Sequence, residues 1–362
     1  MNNRRFEWTK GLVGLLLLAL ALAPLYVANE YHLHVLIIVF YNIILASSLR
    51  LIMTMGLVSF AHGAFVAIGG YASALLVMRL GLNFWLAIWL AMLAAALISG
   101  VFGVILLRLK GVYFLMATTA FGEIVLLVFT RFTEPFGGPA GLVNIPPPNP
   151  IWLPWLGTLV FTGKLSFYYL FLVLMLILLL ILYRLDRGRL GAIWTGLDQA
   201  ENLARAVGIN TMLFKVTAFT IGSTMAALGG AFQAHYYTHI NPAGFGIFVI
   251  INYVVWVVVG GSKSYLGPIV GAAALTLISE GLALYEQLAL FQPILFGAIL
   301  ILVILFLPEG LVSLWGKYRY KRPSRPRTDE IRNTEAAAAF SNPGRKTESQ
   351  PSAGNSLPPD PA

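Results

Sequence analysis

The apolar positions of this chain fall in runs near 20 residues long, separated by short polar or basic stretches. A helix of that length spans roughly 30 Å, the thickness of the hydrocarbon core of a bilayer. The pattern predicts ten spans, at about 11–28, 33–53, 55–78, 84–107, 112–130, 166–183, 213–234, 246–262, 265–284 and 289–307. The third is irregular. It opens on Gly56-Leu-Val-Ser59-Phe-Ala-His62-Gly63, small and polar residues that predict a broken or re-entrant start. The fold class that follows is all-α, a polytopic membrane helix bundle.

Composition strengthens this reading. The 362 residues are 58% hydrophobic and only 11% charged, against about 25% charged in a soluble domain. A chain so poor in charge lacks the means to cover its surface in water. It has no cysteine, which excludes disulfides, thiol catalysis and cysteine-ligated metals. The net charge of +9 would suit nucleic acid, but the basic residues sit beside apolar runs, so no nucleic-acid partner is expected.

Orientation follows from the basic residues. With the N-terminus in the cytoplasm and each span crossing once, only Arg79, Arg131 and Lys164 of the 24 lysines and arginines fall outside. That asymmetry is what the positive-inside rule requires, and it puts both termini in the cytoplasm. The first span can also be read as a cleaved signal peptide, from Arg4, Arg5 and Lys10 ahead of an apolar run with Ala19, Ala21 and Ala23. Residues 1–316 would form the transmembrane domain. Within it, 131–165 form an outer cap rich in Pro, Gly and Trp, and 184–212 form a cytoplasmic loop. Residues 317–362, basic and then Ser/Pro/Ala-rich, carry too little apolar surface to fold and read as a disordered tail; the bland reading of the basic start is a stop-transfer anchor, with contact to anionic lipid as the alternative.

The loop 184–212 carries the most local information. Asp198 precedes Glu201 by three residues, a variant of the capping box. Glu201 and Arg205 stand at i,i+4, and so do Leu203 and Val207, while Gly208 supplies a left-handed stop. A short helix with an exposed apolar stripe is predicted, either lying on its own bundle or docking into a groove on a partner.

At intramembrane depth, Ser59, His62 and Gly63 in the third span offer a hydroxyl, an imidazole and close backbone approach. Glu123, with Thr118 and Thr119 one turn away, sits in mid-span, where a carboxylate costs about 2.5–3.5 kcal/mol. These residues are candidates to line a path or to brace the bundle. Arg50 reads as a side chain snorkelling to the headgroups. His235 and His239, four apart, lack a third ligand and read as surface histidines, so no metal site is expected.

Several blocks resemble LivM-type permeases of branched-chain amino-acid ABC importers. They are Gly56-Leu-Val-Ser59-Phe-Ala61-His62-Gly63-Ala-Phe65 with Ile68-Gly-Gly-Tyr71; Leu107-Arg-Leu-Lys-Gly111-Val-Tyr-Phe with Ala120-Phe-Gly-Glu123-Ile; Gly137-Gly138-Pro139-Ala-Gly141-Leu; Gly188-Arg189 with Asp198-Gln-Ala-Glu-Asn-Leu-Ala-Arg-Ala-Val-Gly-Ile-Asn210; Gly260-Gly with Leu266-Gly267-Pro268; and Leu307-Pro308-Glu309-Gly310-Leu. Ala61 and Gly70 depart from the family pattern, small for small, and coverage is roughly residues 35–315.

The resemblance implies a bacterial inner-membrane permease that translocates Leu, Ile and Val by alternating access. The loop residues Gly188, Arg189, Asp198, Glu201, Leu203, Ala204, Val207, Gly208 and Ile209 would couple it to an ATPase. The implied partners are two ABC ATPase subunits, a second, LivH-type permease and a periplasmic substrate-binding protein. ATP and Mg²⁺ would be bound by the partners, and this chain carries no cofactor. No G-x-x-x-x-G-K-[ST] phosphate loop occurs, so the chain is expected to be no enzyme. Alternatives are a related permease for urea, short amides or another small polar solute, and, less readily, a stand-alone secondary transporter. An intramembrane enzyme finds no HExxH and no Gly-x-Ser-x-Gly in its support.

Overall fold

The computed structural model describes residues 18–24, 26, 29–153, 157–284, 292–307 and 310–313. Their architecture is helical throughout, apart from one small hairpin. In order, the helices are α1 Glu30–Met53, α2 His62–Leu80, α3 Phe84–Leu106, α4 Gly111–Arg131, α5 Lys164–Arg187, α6 Arg189–Ala206, α7 Thr211–Tyr237, α8 Ile247–Gly260, α9 Gly267–Ala283 and α10 Gln292–Phe306. Their interiors are apolar enough to leave the boundaries to local chemistry. Asn29, Asn83 and Asn210 cap α1, α3 and α7, each accepting a backbone N–H at 2.9, 2.9 and 3.2 Å.

Seven of these elements are long and apolar enough to cross a membrane: α1 to α5, α7, and α8 with the 3₁₀ turn Pro242–Phe245 ahead of it. They match seven of the ten expected spans. The two expected at 265–284 and 289–307 are shorter helices, of 17 residues in α9 and 15 in α10. The expected span at 11–28 falls mostly, and the 317–362 tail wholly, outside the described residues.

Ion pairs at both ends set α1 and α5 parallel: Glu30 with Lys164 at 3.3 Å, and Arg50 with Asp186 at 3.1 Å. α7 runs antiparallel to α1: Gln233, near the end of α7, lies beside Tyr41, and Gly222, further back, lies against Ile52. α1 lies at the centre, with 83% of its apolar window buried. α3 and α4 lie at the rim, with 28% and 33%.

Lipid tails offer no hydrophobic drive for helices to associate, so small residues that let backbones meet hold such bundles together. α2 and α7 do this here. A Cβ at Gly69 would lie 1.9 Å from the Ala227 carbonyl oxygen, and one at Gly230 would lie 1.9 Å from that of Val66. Ala67, Ala74, Ala226, Ala231 and Ala234, all fully buried, continue the two helices' small-residue faces.

The broken start expected in the third span is present. α1 ends at Met53, residues 54–61 are not helical, and α2 begins at His62. The segment is pinned to α4 by the Phe60 N–H, which donates to Thr118 Oγ1 at 3.2 Å.

Two expectations are corrected. Arg50 does not snorkel: it is 6% exposed, donates to both oxygens of Asp186 (3.1 and 3.4 Å), and donates from Nε to the Ser262 carbonyl oxygen. An intramolecular carboxylate satisfies it better than headgroups do. His235 is not a surface histidine: it is fully buried against Phe84, and its Nδ1–H donates to the Pro146 carbonyl oxygen at 2.6 Å. His239 is exposed as expected.

Among the described residues of 132–163 the elements are short: a turn of helix at Thr133–Phe136, a 3₁₀ turn at Gly138–Ala140, and strands β1 Ile151–Leu153 and β2 Gly157–Leu159 paired antiparallel. Leu142 bridges to Ile240, which ties this segment to the end of α7. The crossing of α2 and α7 yields a test. Gly230→Ala should lower the thermal unfolding midpoint in detergent by several degrees, because backbone must move to admit one methyl group. Gly100→Ala meets nothing closer than Thr220 Oγ1 at 4.0 Å and should leave the midpoint unchanged or raise it.

Candidate coupling loop and translocation residues

α6 departs from the short helix expected. It begins at Arg189, capped by Gly188, and runs to Gln199, where Ala200 interrupts it at φ −156° and ψ 73°. A second segment runs from Glu201 to Ala206. Asp198 is therefore not an N-cap; it lies in the last turn of the first segment, with Oδ1 2.4 Å from where a Cβ on Gly56 would stand. The reason is packing. Trp194 and Leu197 are buried, the Trp194 indole N–H donates to the Phe214 carbonyl oxygen at 2.9 Å, and Gly191 lies against the backbone of Asp186. These contacts extend the helix back to Arg189, well ahead of any capping signal. The stop is as expected. Gly208 has φ +87°, and the Ile209 N–H donates back to the Ala204 carbonyl oxygen at 3.0 Å.

The two faces of the second segment differ sharply. Leu203 and Val207 are 66% and 68% exposed, an apolar pair on open surface. Glu201 points the other way, with 21% of its side chain exposed and three cations around it. Lys215 Nζ lies 2.8 Å from Oε1, Arg205 3.3 Å from the same oxygen, and Lys110 Nζ 3.9 Å from Oε2. Lys215 comes from the second turn of α7 and is 5% exposed; Lys110 comes from the α3–α4 loop. The i,i+4 spacing found Arg205. It gave no sign of Lys215, a partner 14 residues away. Burial works to raise the Glu201 carboxyl, and the Lys215 hydrogen bond and charge, followed by Lys110 and Arg205, more than offset it, holding the group below its ordinary value. Such a group stabilises the fold at neutral pH, and the contribution is lost as pH falls through the depressed folded-state value.

The five candidate path residues separate into two groups. Ser59, His62 and Gly63 lie inside the bundle, with Ser59 and His62 fully buried. His62 Nε2 donates to the Leu45 carbonyl oxygen at 3.2 Å and lies 3.3 Å from Ser48 Oγ; its ring meets that of Tyr253 edge-on. Ser59 Oγ and His62 Nδ1 have no hydrogen-bond partner among the described residues. Gly63 admits Ile250 and the Phe245 carbonyl.

Glu123 is on the outside of α4, exposed, with Met116, Ile124 and Leu127 exposed around it. Thr119 is half-buried, its hydroxyl returned to the Leu115 carbonyl oxygen of its own helix. No ion pair or hydrogen bond engages Glu123 among the described residues, and no cluster of three metal-ligating side chains occurs there either.

Known proteins put this arrangement in context. Residues 31–305 match the family described as branched-chain amino acid transport system / permease component. The high-affinity branched-chain amino acid transport system permease protein LivM of Escherichia coli is 30% identical over 82% of this chain and 74% of its own length. LivM of Salmonella typhimurium is 30% identical over 72% of this chain and 64% of its own length. The LivH permease protein of the Escherichia coli system is 24% identical over 71% of this chain and 86% of its own length. No solved structure matches. The chain is thus a polytopic helical membrane protein that belongs to the permease-component family of branched-chain amino acid transport systems.

Proposed function

We propose that this chain is one of two permeases in an inner-membrane ABC importer, moving branched-chain amino acids by alternating access powered by partner ATPases. Similarity to both LivM and LivH proteins supports the permease assignment and a paired sister permease. The observation that carries the mechanism is α6: two large apolar side chains stand in the open on a helix whose carboxylate is turned inward and clasped. Leu203 and Val207 would seat in a groove on an ATPase subunit, with Ala204 and Ile209 beside them and Gly188, Arg189 and Gly208 framing the loop. Glu201 would hold the docked helix to α7 and to the α3–α4 loop. Both termini, and α6 with them, would then be cytoplasmic, and a periplasmic binding protein would deliver substrate at the far end. ATP and Mg²⁺ would belong to the partner ATPases.

The path would run along α4. A carboxylate facing lipid at mid-span costs about 2.5–3.5 kcal/mol, so the Glu123 face of α4 would be covered by the sister permease, with the carboxylate turned toward the substrate ammonium. Thr119 lies one turn away on the same helix. Ser59, His62 and Gly63 would act from behind, at the broken start of α2, where unpartnered polar atoms leave room for a second arrangement.

Three outcomes check this reading. Leu203→Glu with Val207→Glu should abolish co-purification with the ATPases and leave the permease folded; retained association would remove α6 as the dock. Lys215→Glu or Glu201→Lys should keep association but reduce substrate-coupled transport about tenfold or more, as expected for a lost charge-assisted hydrogen bond, and the combined swap should recover it only in part, because Arg205 and Lys110 would then face a cation at position 201. Glu123→Gln should lower transport by a similar factor, and cysteines at Met116 and Leu127 should cross-link to the sister permease. Full transport by Glu123→Gln would take that carboxylate out of the path.

A further inference from the structure

At the end of α7 opposite α6 the bundle carries a cleft of about 210 Å³, lined by Gln233, Tyr237, His239, Ile240, Asn241 and Phe245 among others. α7 is 27 residues long, so this cleft lies roughly 40 Å from the α6–α7 turn. It has three properties that fit one class of ligand. The first is size. It falls below the ~300 Å³ at which sites for drug-sized molecules begin, and suits a single small metabolite.

The second is polarity, which the protein's own hydrogen bonds fix. Asn241 Oδ1 accepts the Gly244 N–H at 2.9 Å, so its amide NH₂ is left as a donor. Gln233 Oε1 accepts the Tyr41 hydroxyl at 2.8 Å, which leaves the Gln233 NH₂ as a second donor. His239 Nδ1 lies 2.9 Å from the Tyr237 carbonyl oxygen. A carbonyl only accepts, so Nδ1 carries a proton, and in that tautomer Nε2 is the acceptor. None of these three remaining groups has a protein partner among the described residues.

The third is the floor. Ile240 and Phe245 are 4% and 2% exposed, an apolar base held in place by the bridge between Ile240 and Leu142. Two neutral donors, one neutral acceptor and an apolar base complement a zwitterion with an aliphatic side chain: carboxylate on the amides, ammonium on the imidazole, alkyl group on Ile240 and Phe245. No Lys, Arg, Asp or Glu lines the cleft. Binding by neutral groups alone is weak, as a transit station requires, since a site that holds too tightly blocks onward movement.

We infer that this cleft is the entry subsite at which the permease first takes an aliphatic α-amino acid, through Gln233, His239 and Asn241. The inference rests on the reading above that α6 faces the cytosol and that the chain transports such amino acids.

The absence of cysteine from this chain makes a direct test available. In the full complex with its ATPases and sister permease, a cysteine replacing exposed Ala243 at the rim is alkylated with a maleimide that shifts this chain on a gel. Leucine should slow the labelling, while 4-methylpentanoate (no ammonium) and isopentylamine (no carboxylate) should need about tenfold higher concentration or more. Asn241→Asp and Gln233→Glu keep the oxygens that cap Gly244 and accept from Tyr41, but put negative charge where the donors were. Each should abolish leucine protection and, without the cysteine, raise the KM of transport for loaded binding protein about tenfold or more. Labelling indifferent to leucine, equal protection by the two half-molecules, or an unchanged KM in both charge variants would overturn the subsite while leaving the transport reading intact. A complex that assembles yet transports no branched-chain amino acid would overturn the transport reading itself.

Discussion

The close passage of α2 and α7 is the constraint that the rest of the bundle depends on. Packing, not apolar burial, separates an assembled bundle from loose helices in lipid, and at Gly69 and Gly230 the packing is backbone against backbone. Nothing larger than hydrogen fits at either crossing point. This fixes α7 against α2, and α7 also packs on α1 and α3. One helix of 27 residues thereby relates the two ends of the protein, with Lys215 near one terminus of α7 and Gln233 and Tyr237 at the other.

Charge is sparse, and its value depends on where it sits. Glu30 with Lys164, 80% and 40% exposed, contributes little to stability because water and salt screen both partners. Arg50 with Asp186, 7% and 24% exposed, is different: loss of either partner would strand a charge in a low-dielectric interior. The Arg50 guanidinium also reaches Ser262 and lies 6.0 Å from the centre of the Tyr265 ring, so α1, α5 and the turn before α9 meet at one side chain. Glu201 joins three elements in the same manner.

Which features were legible in sequence follows from the range of the forces that make them. Apolar run length located seven membrane helices, because it measures span directly. Small polar residues between Gly56 and Gly63 announced the interruption ahead of α2, and Gly208 the end of α6, since left-handed backbone favours glycine locally. The start of α6 was illegible from caps because Trp194 and Leu197, buried against α7 and its neighbours, set it through tertiary contact. Arg50 and His235 were misjudged for the same reason. Their partners, Asp186 and Pro146, lie 136 and 89 residues away, and no spacing rule reaches that far. The candidate path residues shared intramembrane depth, which sequence shows, but not a face, which it does not. Ser59 and His62 turn into the bundle and Glu123 turns out of it.

The split character of α6 bears on how force would pass through it. Only Val207 and the turn Gly208-Ile209-Asn210 connect its last residue to the start of α7, and a left-handed glycine in so short a link would by itself make a hinge. A push on Leu203 and Val207 would then bend the link and leave α7 where it was. The Glu201–Lys215 contact closes a second connection across the same corner, one turn inside each helix. With both in place, α6, the turn and α7 form a triangle that cannot flex without breaking a partly buried ion pair. Displacement of the exposed stripe would then reach α7 through this contact, whereas Lys110, 69% exposed and 3.9 Å from Glu201, would carry little of it to the loop leading into α4.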